Sequence, residues 1–203
     1  MTRTDPVPTP GPAAAVVLRA DDPRVATLLA ERWSVSARSW AAEIDLTATD
    51  HAVLRAAAGR VEQPLTVREL GPADTDAALA LDDATVADYP GDVATAHHPL
   101  TAESATPTPG RRAFGALHPD DALVAMTWVD VDGSRAEVDV TVVAAAWRGR
   151  GLATGVKAAS LLGLAADGVA SVRTGGSDDN SAILAANEAL GFVVDERWLT
   201  LRR

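Results

Sequence analysis

The segment of this chain whose residue types most clearly suggest a binding site runs from Val142 to Thr154 and reads VVAAAWRGRGLAT. An apolar run typical of a strand ends there, a glycine-rich turn follows, and an apolar stretch with helical spacing begins. Glycines let backbone amides approach a ligand closely, and the first turn of a helix has unpaired N–H groups at the positive end of its dipole. Together these features favour binding of a phosphate group.

The charges around this turn also favour an anion. No acidic residue lies between Asp139 and Asp167, where the charged residues are Arg148, Arg150 and Lys157. The turn is neither a Walker loop, which needs Gly-Lys-Ser/Thr, nor the G-x-G-x-x-G dinucleotide fingerprint. An ordinary strand-to-helix turn without a ligand is the alternative interpretation.

Two acidic residues just before the turn could perform acid–base chemistry. Glu137 and Asp139 are two positions apart in a predicted strand, so both side chains point to the same face. Either carboxylate could accept a proton as a general base. A pair of solvated strand acids would have the same spacing.

Two motifs in this order resemble the GCN5-related N-acetyltransferases. Their acetyl-CoA signature, Arg/Gln-x-x-Gly-x-Gly/Ala, is matched by Arg148, Gly151 and Ala153. Downstream, residues 180–192 (NSAILAANEALGF) are similar to the C-terminal helix of that family, which ends in Leu-Gly-Phe. The resemblance covers about residues 65–203.

Further residues resemble a bacterial subgroup of these enzymes that has asparagine where many relatives have tyrosine. They are Asp139-Val140-Thr141, Lys157, Asn187 and Trp198. In many relatives the tyrosine protonates the leaving thiolate, so Asn187 leaves that role open. The resemblance implies Asp139, Glu137 and Asn187 as catalytic residues, with Asp139 preferred as the base, and it requires no metal.

The resemblance also implies that acetyl-CoA is bound and coenzyme A released. The expected site is a gap between the strand ending near Val143 and a strand over 169–173, with a backbone amide near Val143 stabilising the oxyanion. Asn180 could bond the cofactor or simply cap the helix that follows it. The expected cofactor-binding residues are Val142, Val143, Arg148, Gly149, Arg150, Gly151, Leu152, Ala153, Thr154, Asn180 and Asn187.

Three features near the expected acceptor site are open to two interpretations. Tyr89, the single tyrosine, could replace the missing acid or simply pack. His97-His98 could bind a metal or act as a base, and an exposed loop pair is the simpler interpretation. Gly175-Gly176 stands where the subgroup usually has Trp-Asn, which predicts a looser loop there.

Composition restricts the classes of protein that remain. Of 203 residues, 47% are apolar and 23% charged, as in globular proteins, and the absence of cysteine excludes disulfides and thiolate metal sites. A formal charge of −10 argues against a nucleic-acid partner. No stretch approaches the roughly 20 apolar residues of a membrane span, so we expect a cytoplasmic protein without a membrane partner.

The order of predicted elements indicates an α/β chain with a mixed sheet, helices packed on it and a small α/β N-terminal extension. The resemblance implies that the central sheet is mainly antiparallel and flanked by helices, as in the acetyltransferase fold. The Pro/Thr-rich residues 1–13 are expected to be a disordered tail, residues 14–63 a small unit and residues 65–203 the acetyltransferase-like domain. The small unit could cover the acceptor site, form a homodimer contact or be a degenerate repeat of the fold.

Three functions are compatible with these features. The first is an N-acetyltransferase that uses acetyl-CoA and acts directly on a primary amine of a small molecule or peptide. The second is a catalytically weak acyl-CoA-binding or regulatory module, and the third is an α/β interaction domain without catalysis. The sequence does not identify the acceptor amine.

Overall fold

A computed structural model describes residues 15–89 and 92–203 of the chain. The predicted disordered tail, residues 1–13, lies outside the described residues. The described part contains eight strands: β1 (Ala15–Arg19), β2 (Ser34–Asp45), β3 (Thr66–Glu69), β4 (Arg111–Leu117), β5 (Leu123–Asp132), β6 (Arg135–Val143), β7 (Ser171–Ser177) and β8 (Val193–Arg202). Its α-helices are α1 (Arg24–Ala30), α2 (His51–Ala58), α3 (Thr75–Thr85), α4 (Leu152–Ala166) and α5 (Ser181–Leu190).

All eight strands form one sheet in the order β1-β8-β2-β7-β6-β5-β4-β3. Neighbouring strands are antiparallel except β6 and β7, which run parallel. Apolar residues on α2, α4 and α5 pack on one face of the sheet, and those on α3 pack on the other. The predicted mainly antiparallel sheet flanked by helices is therefore confirmed.

The parallel pair separates soon after it begins. Only Arg135, Ala136 and Glu137 of β6 have partners on β7, although β6 continues to Val143 and β7 to Ser177. Beyond Glu137 the two strands therefore leave a gap in the middle of the sheet. Two cavities lie along this gap.

A β-bulge at Asp139 accompanies the separation. Val138 pairs with Val129 and Val140 with Trp128, which leaves Asp139 as an extra residue on β6. The inserted residue reverses the alternation of side chains, so Val138 joins the core beside α4 and Val140 joins the core beside α3. The bulge thus places Asp139 at the edge of the gap.

The N-terminal residues take part in the same sheet as the rest of the chain. Strand β2 lies between β7 and β8 and is antiparallel to both, while β1 forms the outer edge beside β8. Helix α2 packs against α4. The division into residues 14–63 and 65–203 stays a prediction, but β2 occupies an interior position in the sheet.

The prediction of a loose loop at Gly175-Gly176 is wrong. Both glycines lie inside β7, where they pair with Ala41 and Trp40 of β2. The neighbouring strand β2 holds them in extended form, and no local sequence pattern identifies that partner. Within the described residues, no helix is long and apolar enough to cross a membrane.

Candidate active site

A cavity of about 470 Å³ lies between the glycine-rich turn, the end of β6 and the start of α5. We call it the turn cavity. It is lined by the predicted residues Val142, Val143, Arg148, Gly149, Gly151, Leu152, Ala153, Thr154 and Asn180. The structure therefore brings most of the predicted cofactor-binding residues together around one space.

The turn that enters α4 has the backbone geometry that glycine allows. Gly149 and Gly151 both have φ of +74°, in the left-handed region where a Cβ is strained. The first intrahelical bond runs from Gly155 N–H to the Gly151 carbonyl. Amides earlier in the first turn have no intrahelical acceptor, so those lining the turn cavity can bind an anion.

The end of β6 offers backbone groups to the gap. Ala144 N–H donates to the Val124 carbonyl on β5. Since successive residues of an antiparallel strand alternate in direction, Val143 turns its N–H and C=O away from β5, and Val142 turns its own toward β5. Of the two predicted residues, Val143 is therefore the one whose backbone faces the gap.

The two arginines of the turn have different positions. Arg148 donates from Nε to the Val143 carbonyl at 3.1 Å and from Nη2 to Asp88 at 2.8 Å, and it lines the turn cavity. Arg150 instead stacks its guanidinium on the ring of Trp147, 4.8 Å from the centroid, and is not among the lining residues. An exposed ion pair such as Arg148–Asp88 is weak, so an anion could displace Asp88.

Asn180 caps α5 from the wall of the turn cavity. Its Oδ1 accepts a hydrogen bond from Ile183 N–H at 3.2 Å. That bond uses the carbonyl of the side-chain amide and leaves the Nδ2 donors for another partner. Capping and ligand binding are therefore compatible at this residue.

A second cavity, of about 610 Å³, lies on the other side of the gap. We call it the acidic cavity because four carboxylates line it. Its lining includes Asp130, Glu137, Asp139, Glu196, Arg173, Tyr89, His97, Trp40 and Trp198. The two predicted acids, Glu137 and Asp139, thus face the same space.

The two predicted acids differ in their ion pairing. Asp139 accepts from Arg111 Nη2 at 2.6 Å, and the same guanidinium donates to Asp130 at 2.7 Å. Glu137 has no ion-pair partner among the described residues. Protonation of Asp139 would cost its ion pair with Arg111, whereas protonation of Glu137 would break no such contact.

Tyr89 lies where the two cavities meet, because it lines both. Burial of the phenol, together with the negative charge of Asp139, raises the pKa of Tyr89 above its ordinary value. The hydroxyl is therefore protonated at neutral pH and can act as a proton donor.

Solved structures with a similar fold are known, although no family model and no curated protein matches the chain. A tandem GNAT protein from the clavulanic acid biosynthesis pathway, without acetyl-CoA, is 25% identical, with a TM-score of 0.64 over 94% of this chain and 63% of its own. A GCN5-related N-acetyltransferase from Sphaerobacter thermophilus is 16% identical, with a TM-score of 0.65 over 94% and 60%. The ribosomal-protein-S18-alanine N-acetyltransferase from Escherichia coli is 16% identical, with a TM-score of 0.53 over 68% and 91%.

The chain has the fold of the GCN5-related N-acetyltransferases. It spans 63% and 60% of the length of the first two structures, so each of those proteins contains a substantial part with no counterpart here. At these identities the likeness establishes the fold of the chain.

One predicted residue of the acetyltransferase fold lies away from both cavities. Asn187 is 0% exposed and lines neither of them. Both polar atoms of its side-chain amide lack a hydrogen-bond partner within the described residues. Asn187 therefore lies outside the linings of both cavities, and its catalytic and cofactor-binding roles stay predictions.

Lys157 is among the positive charges near the turn in the sequence, but the residue lies in the core. It is 1% exposed on the core side of α4, with Nζ 3.3 Å from Thr174 Oγ1 and 5.5 Å from the ring centroid of Phe192. Burial lowers its pKa to about 7. Because the helix buries this face, Lys157 contributes no direct contact to an anion in the turn cavity.

Sequence reasoning missed two further contacts of this acetyltransferase fold. Arg111 reaches Asp139 from the neighbouring part of the sheet, and His97 bonds the buried Asp82. The expectation of an exposed histidine pair holds for His98 and is wrong for His97. No local pattern marks these contacts, because each joins residues on different elements.

Proposed function

We propose that this protein is an N-acetyltransferase that uses acetyl-CoA and transfers the acetyl group directly to a primary amine of a small molecule or peptide. The observation that carries the proposal is that the two cavities meet at Tyr89, across the gap between β6 and β7. One cavity presents free amides and an arginine, and the other presents carboxylates. An anionic coenzyme and a cationic amine would therefore approach the same point from opposite sides.

The residues of the turn cavity suit coenzyme A. Unpaired amides in the first turn of α4 would bind the pyrophosphate, and Arg148 would add a charge-assisted contact once it leaves Asp88. Val143 would accept a hydrogen bond at its C=O from an amide of the pantetheine arm, in the manner of an added strand, which leaves its N–H for the acyl oxygen. Asn180 would donate from Nδ2 while it continues to cap α5.

The protein's own groups would perform the proton transfers that acetyl transfer to an amine requires. When bound, acetyl-CoA supplies a thioester whose carbonyl carbon an amine can attack. The Val143 N–H would donate to the acyl oxygen, and Tyr89 would donate its phenolic proton toward the sulfur. Glu137 and Asp139 are the carboxylates available to accept a proton from the amine, with Glu137 the one free of an ion pair.

A catalytically weak acyl-CoA-binding module is the second candidate. The position of Asn187 favours it, since the residue that replaces the usual acid lies outside both cavities. Such a protein would keep the turn cavity and bind the coenzyme, but it would release thiol no faster with an amine than without one.

Thiol release separates these candidates. Purified protein is incubated with acetyl-CoA and a library of primary amines, and free thiol is measured against a no-amine control. Amine-dependent, saturable release supports the acetyltransferase. Tight binding of acetyl-CoA without amine-dependent release supports the module, and absence of binding by folded protein overturns both.

A further inference from the structure

One residue in the wall of the acidic cavity, His97, forms a buried pair with the carboxylate of Asp82, which lies behind that wall. Nε2 of His97 lies 2.6 Å from Oδ1 of Asp82, and the two side chains are 4% and 3% exposed. Asp82 is on α3, and His97 lies in the irregular segment between α3 and β4. A buried charged carboxylate is costly unless donors bond it, so this hydrogen bond favours the position of the imidazole beside Asp82.

The hydrogen bonds of Asp82 determine which nitrogen of the His97 ring remains available to another partner. Oδ2 of Asp82 accepts the Leu100 N–H at 2.7 Å, and Oδ1 accepts from His97 Nε2. A neutral imidazole that donates from Nε2 carries its lone pair on Nδ1. Because His97 lines the acidic cavity, Nδ1 is the polar atom that the ring can offer to a molecule bound there.

The imidazole also lies close to the point where the cavities meet. Its ring packs against the ring of Tyr89, with centroids 5.3 Å apart and planes tilted by 44°. Tyr89 in turn lines both cavities. A group held by His97 would therefore be next to the residue that faces the turn cavity.

Most other charged groups facing the same space already have partners. Arg111 bonds Asp130 and Asp139, and Arg173 bonds Asp195 and approaches Glu196. The titratable groups that line the cavity with His97 are Tyr89, Asp130, Glu137, Asp139, Arg173 and Glu196. Their excess of negative charge attracts an ammonium group, and His97 adds an imidazole among them.

We propose that His97 is the general base for the acceptor amine and that Asp82 is its positioning residue. The proposal rests on the N-acetyltransferase function above and names a base in preference to Glu137 or Asp139. Nδ1 takes one proton from the ammonium group of the acceptor, and the electrons of the broken N–H bond remain on the amine nitrogen as its lone pair. Asp82 balances the charge of the imidazolium, which then loses the proton to solvent.

Imidazole is the side chain best matched to this step near neutral pH, because it exchanges a proton readily in that range. A structural role is the competing explanation: the Asp82–His97 bond could merely hold the segment after Tyr89 against α3. The two explanations differ in what a glutamine at position 97 should do, since its amide can still donate to Asp82.

The kinetic test compares His97→Gln with His98→Gln, an identical change at the exposed neighbour. We expect His97→Gln to lower kcat/KM at pH 7 by about 10²- to 10⁴-fold, as for loss of a general base, and the deficit to shrink as pH rises and more acceptor is already neutral. His98→Gln should have the same kcat/KM as the wild type at every pH. Acetyl-CoA affinity should be equal in all three proteins.

Added imidazole provides a second kinetic readout. His97→Ala leaves a space beside Tyr89, and imidazole in solution should restore part of its activity in a saturable manner. A loop held in the wrong place would not be corrected by a free base. Equal pH profiles for wild type and His97→Gln, or no rescue of His97→Ala, would overturn the assignment of His97.

A spectroscopic test needs neither coenzyme nor acceptor. With ¹⁵N-labelled histidine, the His97 signals, assigned by their loss in His97→Gln, should show a neutral ring protonated on Nε2 in the wild type. Asp82→Asn should shift that tautomer balance while the protein stays folded. A ring protonated on Nδ1 would contradict the proposal, because that atom could not accept a proton.

The outcomes also separate this proposal from the proposed function. If the wild type releases thiol with an amine and His97→Gln matches it, the acetyltransferase stands and His97 is not the base. If the wild type releases no thiol with any amine, the proposed function fails and the proposed role of His97 fails with it.

Discussion

The indole of Trp40 packs directly over the backbone of Gly176. A Cβ added to Gly176 would lie 2.8 Å from Cζ2 of that ring, closer than carbon atoms approach in proteins. Trp40 lies on β2, is 2% exposed and pairs with Gly176 of the adjacent strand β7. The glycine in β7 and the tryptophan contributed by the N-terminal strand are thus complementary, and together they form part of the wall of the acidic cavity.

This relationship predicts a strong coupling between the two positions. Gly176→Ala should lower the free energy of unfolding by about 1–3 kcal/mol, because the indole must move. In a Trp40→Leu background the same change should cost at least about 1 kcal/mol less. Urea unfolding of the four proteins measures the coupling. Gly71→Ala, whose Cβ would meet no atom within 4 Å, is the control, and additive effects would contradict the packing.

Asn180 is expected to have two separable roles. Asn180→Asp keeps a good helix cap but removes the Nδ2 donors and adds a negative charge to the turn cavity, so stability should be retained and acetyl-CoA affinity reduced. Asn180→Ala should lose about 1 kcal/mol of stability through the cap. Thermal unfolding and calorimetric titration test both. Unchanged affinity in Asn180→Asp would leave the residue as a cap alone.

The two arginines of the turn should differ in their effect on coenzyme binding. Arg148→Gln should weaken acetyl-CoA binding by about tenfold and reduce its dependence on salt, since one charge-assisted contact is lost. Arg150→Gln should have a smaller effect, because Arg150 stacks on Trp147 outside the lining of the cavity.

Asp88→Asn should act in the opposite direction on the same site. It frees the Arg148 guanidinium from its carboxylate partner, so acetyl-CoA should bind more tightly than to the wild type. Binding isotherms at low and moderate salt measure all three variants. Equal effects of the two arginine changes would show that Arg148 has no special role.

Because Lys157 is buried, we expect the free energy of unfolding to depend on pH. Its pKa is lowered by burial to about 7 in the folded state, against 10.5 for the free side chain. Between these values the unfolded chain holds the proton and the folded chain does not, so wild-type stability rises with pH, by on the order of 1 kcal/mol per pH unit. This contribution levels off below about pH 7, where both states are protonated.

Lys157→Met removes the titration and keeps a side chain of similar length. The variant should be more stable than the wild type at pH 7, and the difference should narrow as pH rises toward 10. Denaturant unfolding at several pH values gives both curves. Parallel curves between pH 7 and 10 would mean that Lys157 does not titrate in this range.

Helix ends were predictable because their signals are local. Asp50 caps α2 through Ala52 N–H, Asn180 caps α5, and Gly191 ends α5 with φ of +98°. The glycine-rich turn was predictable for the same reason. These features depend on residues only a few positions apart, which a single sequence displays directly.

The features that the sequence did not reveal depend on long-range contacts. Strand β2 pairs with β7 more than 120 residues later, and no local pattern states which strands will be neighbours. The same holds for the pairing of Asp82 with His97 and for the bulge at Asp139, which depends on how β6 lies against β5. The burial of Asn187 away from both cavities likewise depends on how α5 packs, which its helix position alone does not state.

The most direct test of the account is calorimetric titration of acetyl-CoA into the wild type, Gly151→Asp and Gly133→Asp. Both glycines have positive φ and open space around a Cβ, so the two substitutions carry similar backbone strain, but only Gly151 lines the turn cavity. We expect saturable binding of acetyl-CoA by the wild type and Gly133→Asp, and at least a tenfold loss of affinity in Gly151→Asp. Equal affinity of the three folded proteins, or no binding by the wild type, would contradict the assignment of the turn cavity to the coenzyme.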